Sequence, residues 1–196
     1  MKLVILDRDG TLNEDRDDFV KSPDEWVPIP GALEAAARLF HAGWHLVVAT
    51  NQSGLARGLF DMATLNAMHA KMNALFAPLG ARIDAVFFCP HGPEDDCDCR
   101  KPRPGLFRQI AEHYRLDLHG VPMVGDTLRD LQAGAVLGCE PHLVLTGKAA
   151  RLDAQGLAEI VQRVPGTAVH ASLDAFADTL IGRTASATSQ APGGPT

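Results

Sequence analysis

The sequence predicts an α/β domain built on a doubly wound, mostly parallel sheet, and three observations predict it. Strand-length apolar runs alternate with helix-length stretches along most of the chain. The runs lack the polar alternation of a half-exposed strand, as expected where both faces of a parallel sheet are covered. The first, second and fourth runs end in glycine turns carrying acids, amides or a hydroxyl, at the sheet edge where open α/β folds bind ligands.

In chain order, strands are expected at 2–6, 45–49, 85–88, 122–125, 142–145 and 168–170. Helices are expected at about 31–42, 61–79, 104–116 and 128–137; Pro30-Gly31 precedes the first, and Asp61 is a natural cap for the second. Such alternation implies right-handed crossovers. From about Thr184 the chain is Ser, Thr, Ala, Gly and Pro with little to bury, which predicts one domain over 1–183 and a disordered tail over 184–196. At 196 residues and 46% hydrophobic, one well-formed core is available.

Charge and hydropathy exclude several function classes. A net charge of −6 argues against wrapping around nucleic acid, which needs a broad positive field. No apolar run approaches the roughly 20 residues of a membrane span, and the chain begins directly on a candidate strand, leaving no room for a signal peptide. The expectation is a cytoplasmic protein without membrane or nucleic-acid partners, acting as a monomer.

The first strand runs into Asp7-Arg8-Asp9-Gly10-Thr11. Two acids two residues apart repel as anions unless a cation sits between them or one holds a proton, and phosphoryl transfer uses both options. With magnesium, Asp7 can stay ionised and attack phosphorus, while Asp9 protonates the departing alkoxide and later deprotonates water. The second strand ends in Thr50-Asn51-Gln52-Ser53-Gly54, whose hydroxyl, amides and backbone N–H groups suit phosphoryl oxygens without adding charge. Arg100-Lys101-Pro102 can neutralise a transferring phosphoryl group. The fourth strand ends in Gly125-Asp126-Thr127-Leu128-Arg129-Asp130, where Asp126 would complete an oxygen-rich magnesium site with Asp7 and the backbone carbonyl of Asp9. Asp130 either supports that site or caps the following helix.

Between the third strand and Arg100 lies Cys89-Pro-His91-Gly-Pro-Glu-Asp-Asp-Cys97-Asp-Cys99. Three Cys and one His within eleven residues match a structural tetrahedral zinc site. The competing reading is a disulfide, which would leave one of the three cysteines unused and is disfavoured in a reducing compartment. Cys139 stands outside the cluster as a small buried residue. The loop's expected task is to hold Arg100 and Lys101 in place, not to catalyse.

With those segments in order, residues 2 to 147 resemble the haloacid dehalogenase (HAD) superfamily of phosphohydrolases, which implies a HAD-like Rossmannoid fold. The second acid, Asp9, points to phosphate monoester hydrolysis within it. Only about 40 residues separate the first two strand tips and about 25 separate Lys101 from Asp126, too few for a separate cap domain. The addition of the CPH…CDC loop and RKP makes the chain similar to the D-glycero-D-manno-heptose 1,7-bisphosphate phosphatases, with the histidinol-phosphate phosphatases as close relatives sharing the loop. The resemblance implies removal of the 7-phosphate, leaving heptose 1-phosphate for nucleotide-heptose and lipopolysaccharide-core synthesis, with Mg2+ catalytic and Zn2+ structural. Carried over by position, Asp7 is the nucleophile, Asp9 the general acid/base, Thr50 and Lys101 the phosphoryl stabilisers, Asp7, Asp9 and Asp126 the magnesium ligands, and Cys89, His91, Cys97 and Cys99 the zinc ligands. Arg8, Asn51, Gln52, Ser53, Arg100, Asp15 and Asp18 fall where the family contacts substrate. Two departures stand out: Asp15-Arg16-Asp17-Asp18 is more acidic than the family's usual composition, and Thr127 stands where relatives can carry a lysine.

Overall fold

A computed structural model of the chain describes residues 1–189. Six strands, β1 (Leu3–Leu6), β2 (His45–Asn51), β3 (Ala85–Cys89), β4 (Pro122–Gly125), β5 (Glu140–Val144) and β6 (Ala168–His170), form one sheet in the order β3-β2-β1-β4-β5-β6. Every pairing is parallel. The helices are α1 (Ala32–His41), α2 (Met62–Phe76), α3 (Gly105–Tyr114), α4 (Leu128–Ala135), α5 (Ala154–Arg163) and α6 (Leu173–Ser189).

Strand β1 shows why the sheet is covered on both sides. Val4 and Leu6 enter one cluster with α1, α2 and α6, while Leu3 and Ile5 enter a second with α3, α4 and α5. Period-2 alternation with all four residues buried requires helices on both faces. The chain winds outward from β1 through β2 to β3, then crosses over to β4 and winds the other way. The switch point lies between β1 and β4, where neighbouring connections depart to opposite faces and leave a crevice at the strands' carboxyl ends.

The six expected strands and four expected helices are present, with boundaries displaced by a few residues. The second helix ends at Phe76, and Ala77–Leu79 tightens into a 3-10 turn around Pro78, which cannot donate to an α-helical ladder. Asp61 caps α2, accepting from the Thr64 amide at 2.8 Å. Helices α5 and α6 were not among the expected elements. The α5 signal is weakened by Gly156 and by a short, polar stretch that buries only Ile160. Helix α6 packs on α1, where Arg38 joins Asp174 and Asp178 at 2.6 and 2.5 Å. It continues through Ser189, past the start of the expected tail, because extending an existing helix through Ala185 and Ala187 costs far less than nucleating one. Residues 190–196 of that tail lie outside the described residues. The connections 7–31 and 90–104 are loops with no domain inserted in them, and no helix among the described residues is long and apolar enough to cross a membrane.

Candidate active site

At the switch point, Asp7 leaves β1 with its amide donating to Val124 of β4 at 2.8 Å, which locks the two strand ends together. Gly10 then turns with φ +85°, a conformation that favours glycine, and a Cβ there would lie 2.2 Å from Asp126 Oδ2. Gly147 approaches from the loop after β5, where a Cβ would lie 2.3 Å from the same oxygen. Two glycines thus pack against Asp126 as only bare backbone can.

Asp7, Asp126 and Asp130 are all buried, and each offers an oxygen to a common centre. Lys101 reaches them from the loop after β3: its Nζ donates to Asp7 Oδ1 at 2.8 Å and to the Ala49 carbonyl at 2.7 Å, and lies 2.7 Å from Asp130 Oδ1. Asp130 also closes a capping box at the start of α4, its other oxygen accepting from the Thr127 amide at 3.0 Å and from the Thr127 hydroxyl. Both uses left open for Asp130 by the sequence, support and capping, are realised by one side chain. Burial, then Asp130, raises Asp7 to a pKa of about 6 against the pull of Lys101. Burial, with Asp130 and Asp7, raises Asp126 to about 8. Lys101 goes up despite its burial because Asp130 and Asp7 hold its proton. Asp126 Oδ2 accepts the Lys148 amide at 2.7 Å, but buried Oδ1 has no hydrogen-bond partner. An orphaned carboxylate oxygen beside two more carboxylates is a donor set that fits a hard divalent cation.

Asp9 has a different environment. Its oxygens accept from Arg8 Nη2 at 2.9 and 3.0 Å, Asn13 Nδ2 at 2.9 Å and Gln52 Nε2 at 2.9 Å. Burial alone would raise its pKa, but Arg8 and the other donors outweigh that and lower it. Gln52 Nε2 also donates to Thr50 Oγ1 at 2.9 Å, tying the tips of β1 and β2 together.

The pocket above these groups has a volume of about 270 Å³. Thr50, Gln52, Ser53, Arg100 and Asp15 line it as expected positions, but several expected contacts behave otherwise. Arg8 is 1% exposed and its guanidinium is turned onto Asp9 and Gln52, not outward. Asn51 clamps the Lys101 backbone, donating to its carbonyl at 3.1 Å and accepting its amide at 3.0 Å. Asp18, in the same rim segment, is held by Arg16 and Lys21 at 3.0 and 2.5 Å on an exposed turn. The acidity of 15–18 is neutralised at the rim, since Asp15 pairs with Lys148 and Asp17 with Arg151.

Sequence reasoning missed Asn13, Arg57, His69, Arg129 and Lys148. Arg129 sits inside the GDxxxD segment and Lys148 follows a strand-end glycine, so spacing could have flagged both; nothing local marks Asn13 or His69, whose Nε2 lies 3.4 Å from Arg8 Nη1.

Beside the pocket, Cys89, His91, Cys97 and Cys99 converge. Cys89 Sγ lies 3.1 Å from Cys99 Sγ and 3.8 Å from Cys97 Sγ, and His91 Nδ1 lies 3.2 Å from Cys99 Sγ. All four cysteines of the chain are free, so the disulfide reading fails. These separations approach the roughly 3.5–4 Å between ligands around a tetrahedral ion with bonds near 2.3 Å. Arg100 donates to the His91 carbonyl at 3.2 Å, and Arg103 to the Cys97 carbonyl at 2.7 Å, so the thiol loop grips the basic segment that follows.

A parallel Rossmann-like sheet with clustered acids and a lysine at its switch point defines a hydrolase of the HAD class. The HAD-hydrolase-like family model matches residues 98–175, and the polynucleotide kinase 3 phosphatase model matches 2–130. A D-glycero-beta-D-manno-heptose-1,7-bisphosphate 7-phosphatase of Bordetella bronchiseptica is 63% identical over 156 residues, covering 80% of this chain and 87% of that protein. The Pseudomonas aeruginosa protein of the same name is 51% identical over 179 residues, covering 91% and 97%. The crystal structure of D,D-heptose 1,7-bisphosphate phosphatase from B. bronchiseptica, complexed with magnesium and phosphate, superposes with a TM-score of 0.88 at 57% identity, covering 93% of this chain and 99% of that one. This chain belongs to the D-glycero-beta-D-manno-heptose-1,7-bisphosphate 7-phosphatase family and is a phosphomonoester hydrolase.

Proposed function

We propose that the protein removes the 7-phosphate of D-glycero-D-manno-heptose 1,7-bisphosphate, as the β-anomer named for its relatives, through an aspartyl phosphate on Asp7. The carrying observation is the buried set Asp7, Lys101, Asp126 and Asp130 opening beside a separately held Asp9.

A carboxylate oxygen of Asp7 attacks phosphorus, and the bond from phosphorus to the C7 oxygen breaks. Lys101 Nζ and Thr50 Oγ1 offer donors to the phosphoryl oxygens, and Asn51 holds Lys101 at the backbone so that its ammonium points between the acids. The departing alkoxide takes a proton from Asp9. In the resting pocket Asp9 is held as a carboxylate by Arg8, Asn13 and Gln52; a phosphate dianion entering beside it raises its proton affinity and favours loading that proton. Water then attacks the aspartyl phosphate, giving its proton to the now ionised Asp9, and phosphate leaves. Magnesium held by Asp7, Asp126 and the Asp9 carbonyl would keep Asp7 ionised and offset charge on the transferring oxygens. Zinc in the Cys89/His91/Cys97/Cys99 loop would be structural. The proposed setting is the cytoplasm, in nucleotide-heptose and lipopolysaccharide-core synthesis, with the enzyme acting as a monomer.

The match over 2–130 favours a second reading, hydrolysis of a polynucleotide 3′-phosphate. A net charge of −6 and the acids along the rim weigh against a strand of phosphates. The test is phosphate release with magnesium from both anomers of heptose 1,7-bisphosphate, histidinol phosphate, fructose 1,6-bisphosphate and a 3′-phosphorylated oligonucleotide, ranked by kcat/KM. The β-heptose bisphosphate is expected first; preference for histidinol phosphate or the oligonucleotide overturns the substrate while keeping the chemistry.

A further inference from the structure

Helix α2 buries one stripe, Leu65, Met68, Met72 and Phe76, and His69 stands at its edge, four residues after Leu65. An aliphatic side chain would fill that space at lower free-energy cost, because a half-buried polar group needs a partner. His69 has one. Its ring centre is 6.4 Å from that of Phe88 on β3, and its Nε2 lies 3.4 Å from Arg8 Nη1. Arginine has no acceptor atom, so Nη1 donates, Nε2 accepts, and the imidazole is neutral with its proton on Nδ1. Burial and then the Arg8 charge keep it neutral, lowering the His69 pKa to about 4 against the pull of Asp9.

The rest of the guanidinium is directed at the pocket. Nε and Nη2 donate to Asp9 Oδ1 at 3.2 and 2.9 Å, and Nη2 also donates to Asp9 Oδ2 at 3.0 Å and to Gln52 Oε1 at 3.2 Å. Asp9 and Gln52 thus hold one side of a buried planar group, and His69 holds the other. Arg8 and Asp9 are neighbours in the chain, whereas His69 is 61 residues from Arg8, on a helix packed into the core. The contact therefore ties the Arg8–Asp9 pair to α2. Without an acceptor at Nη1, a buried N–H is left unpaired, and the guanidinium plane tips toward any acceptor it can reach. The Asp9 carboxyl tips with it, and an ångström of displacement from the leaving oxygen lowers a rate by up to about 100-fold.

We propose that His69 is a positioning residue for the phosphatase reaction: by accepting from Arg8 Nη1 it fixes the guanidinium plane against Asp9 and so aims the carboxyl that protonates the departing alkoxide. The inference rests on the phosphatase reading above and adds to it a residue that acts through Arg8. Only the step that uses the Asp9 proton should feel its loss.

The test separates leaving groups that need that proton from one that does not. Heptose 1,7-bisphosphate and fructose 1,6-bisphosphate lose an alkoxide, whereas p-nitrophenyl phosphate loses a stabilised phenolate that departs unprotonated. With magnesium present, kcat/KM covers binding and the breaking of that bond, so the later role of Asp9 with water does not enter it. In His69→Leu, which has a similar volume and no acceptor, kcat/KM should fall about 10-fold for the sugar phosphates, the scale of one lost hydrogen bond to a charged group. For p-nitrophenyl phosphate it should fall less than about twofold. His69→Gln, whose amide oxygen can accept from Arg8, should recover most of the loss. In an Asp9→Asn background, His69→Leu should lower the sugar-phosphate rate no further, since the acid it aims is gone. Equal losses on both kinds of leaving group, no loss on either, a Gln variant as impaired as the Leu variant, or a loss undiminished in the Asp9→Asn background each overturn the proposal. Asp9→Asn alone should show the same split, at about 100-fold or more on the sugar phosphates. If it shows none, the acid assignment in the phosphatase reading falls and this inference with it; a split in Asp9→Asn without one in His69→Leu sinks the positioning role alone.

Discussion

The carboxylates at the floor of the pocket grow out of regular strands, whereas the thiol loop beside them has no helix or strand between Cys89 and Gly105. At the floor, backbone register fixes the acids: Asp7 follows β1, Asp126 follows β4, and the two strands are hydrogen-bonded neighbours. Lys101 and the α4 capping box brace two of the three acids. In the thiol loop Cys89, His91, Cys97 and Cys99 converge without a strand or helix beneath three of them, and Arg100 and Arg103 hang on its carbonyls. A scaffolded cluster should keep its shape without metal; an unscaffolded one should not.

The strongest way to break that contrast is at Asp7, the proposed nucleophile. Asp7→Asn should lower kcat by at least about 1,000-fold, as removing a covalent nucleophile does, with an unchanged or higher melting temperature because one of three mutually repelling buried acids is neutralised. A variant retaining a tenth of wild-type turnover would make the floor structural only.

The next effect is set in the loop. Cys97→Ser/Cys99→Ser should abolish zinc binding, measured as bound metal per chain, and reduce kcat/KM by up to about 100-fold, the scale of loss when catalytic groups shift by an ångström. Asp7→Asn should keep its zinc. Full activity in a zinc-free loop variant would show that Arg100 and Lys101 are positioned without it.

The smallest effect sharpens the electrostatics of the floor. Asp7 and Asp126 have ordinary values near 3.8 and folded values of about 6 and about 8. Because these folded values are raised, the metal-free protein gains stability by keeping the protons, and that stability is lost as pH climbs through 6 toward 8. Magnesium competes for the same oxygens, so saturating magnesium should raise the melting temperature by a few degrees, more at pH 8 than at pH 6. A shift independent of pH between those values would mean that the metal does not replace protons on this cluster.

Much of the floor was legible in the sequence because strand geometry is periodic and local. An apolar run that ends in an acid and a glycine places that acid at the sheet edge wherever the run falls, which located Asp7, Asp9, Thr50 and Asp126 before any contact was known. The rim resisted the same reading. Arg8 and Asn51 stand within the motifs, yet their donors turn onto Asp9, Gln52 and the Lys101 backbone. Asp18 belongs to the acidic run, and its partners there, Arg16 and Lys21, are set by the fold of that turn.

The sequence by itself determined the fold class, the strand ends that carry the acids and the clustering of three cysteines and a histidine in one loop, because hydrophobic period, glycine turns and residue spacing are properties of neighbours along the chain. Only the tertiary structure decided that Lys101 lies between Asp7 and Asp130, that Lys148 and Arg151 neutralise the acidic rim, and that Arg57, Arg100 and Arg129 share one pocket. Those outcomes join residues up to 134 positions apart, and their electrostatics depend on burial and through-space distance, which no local pattern encodes.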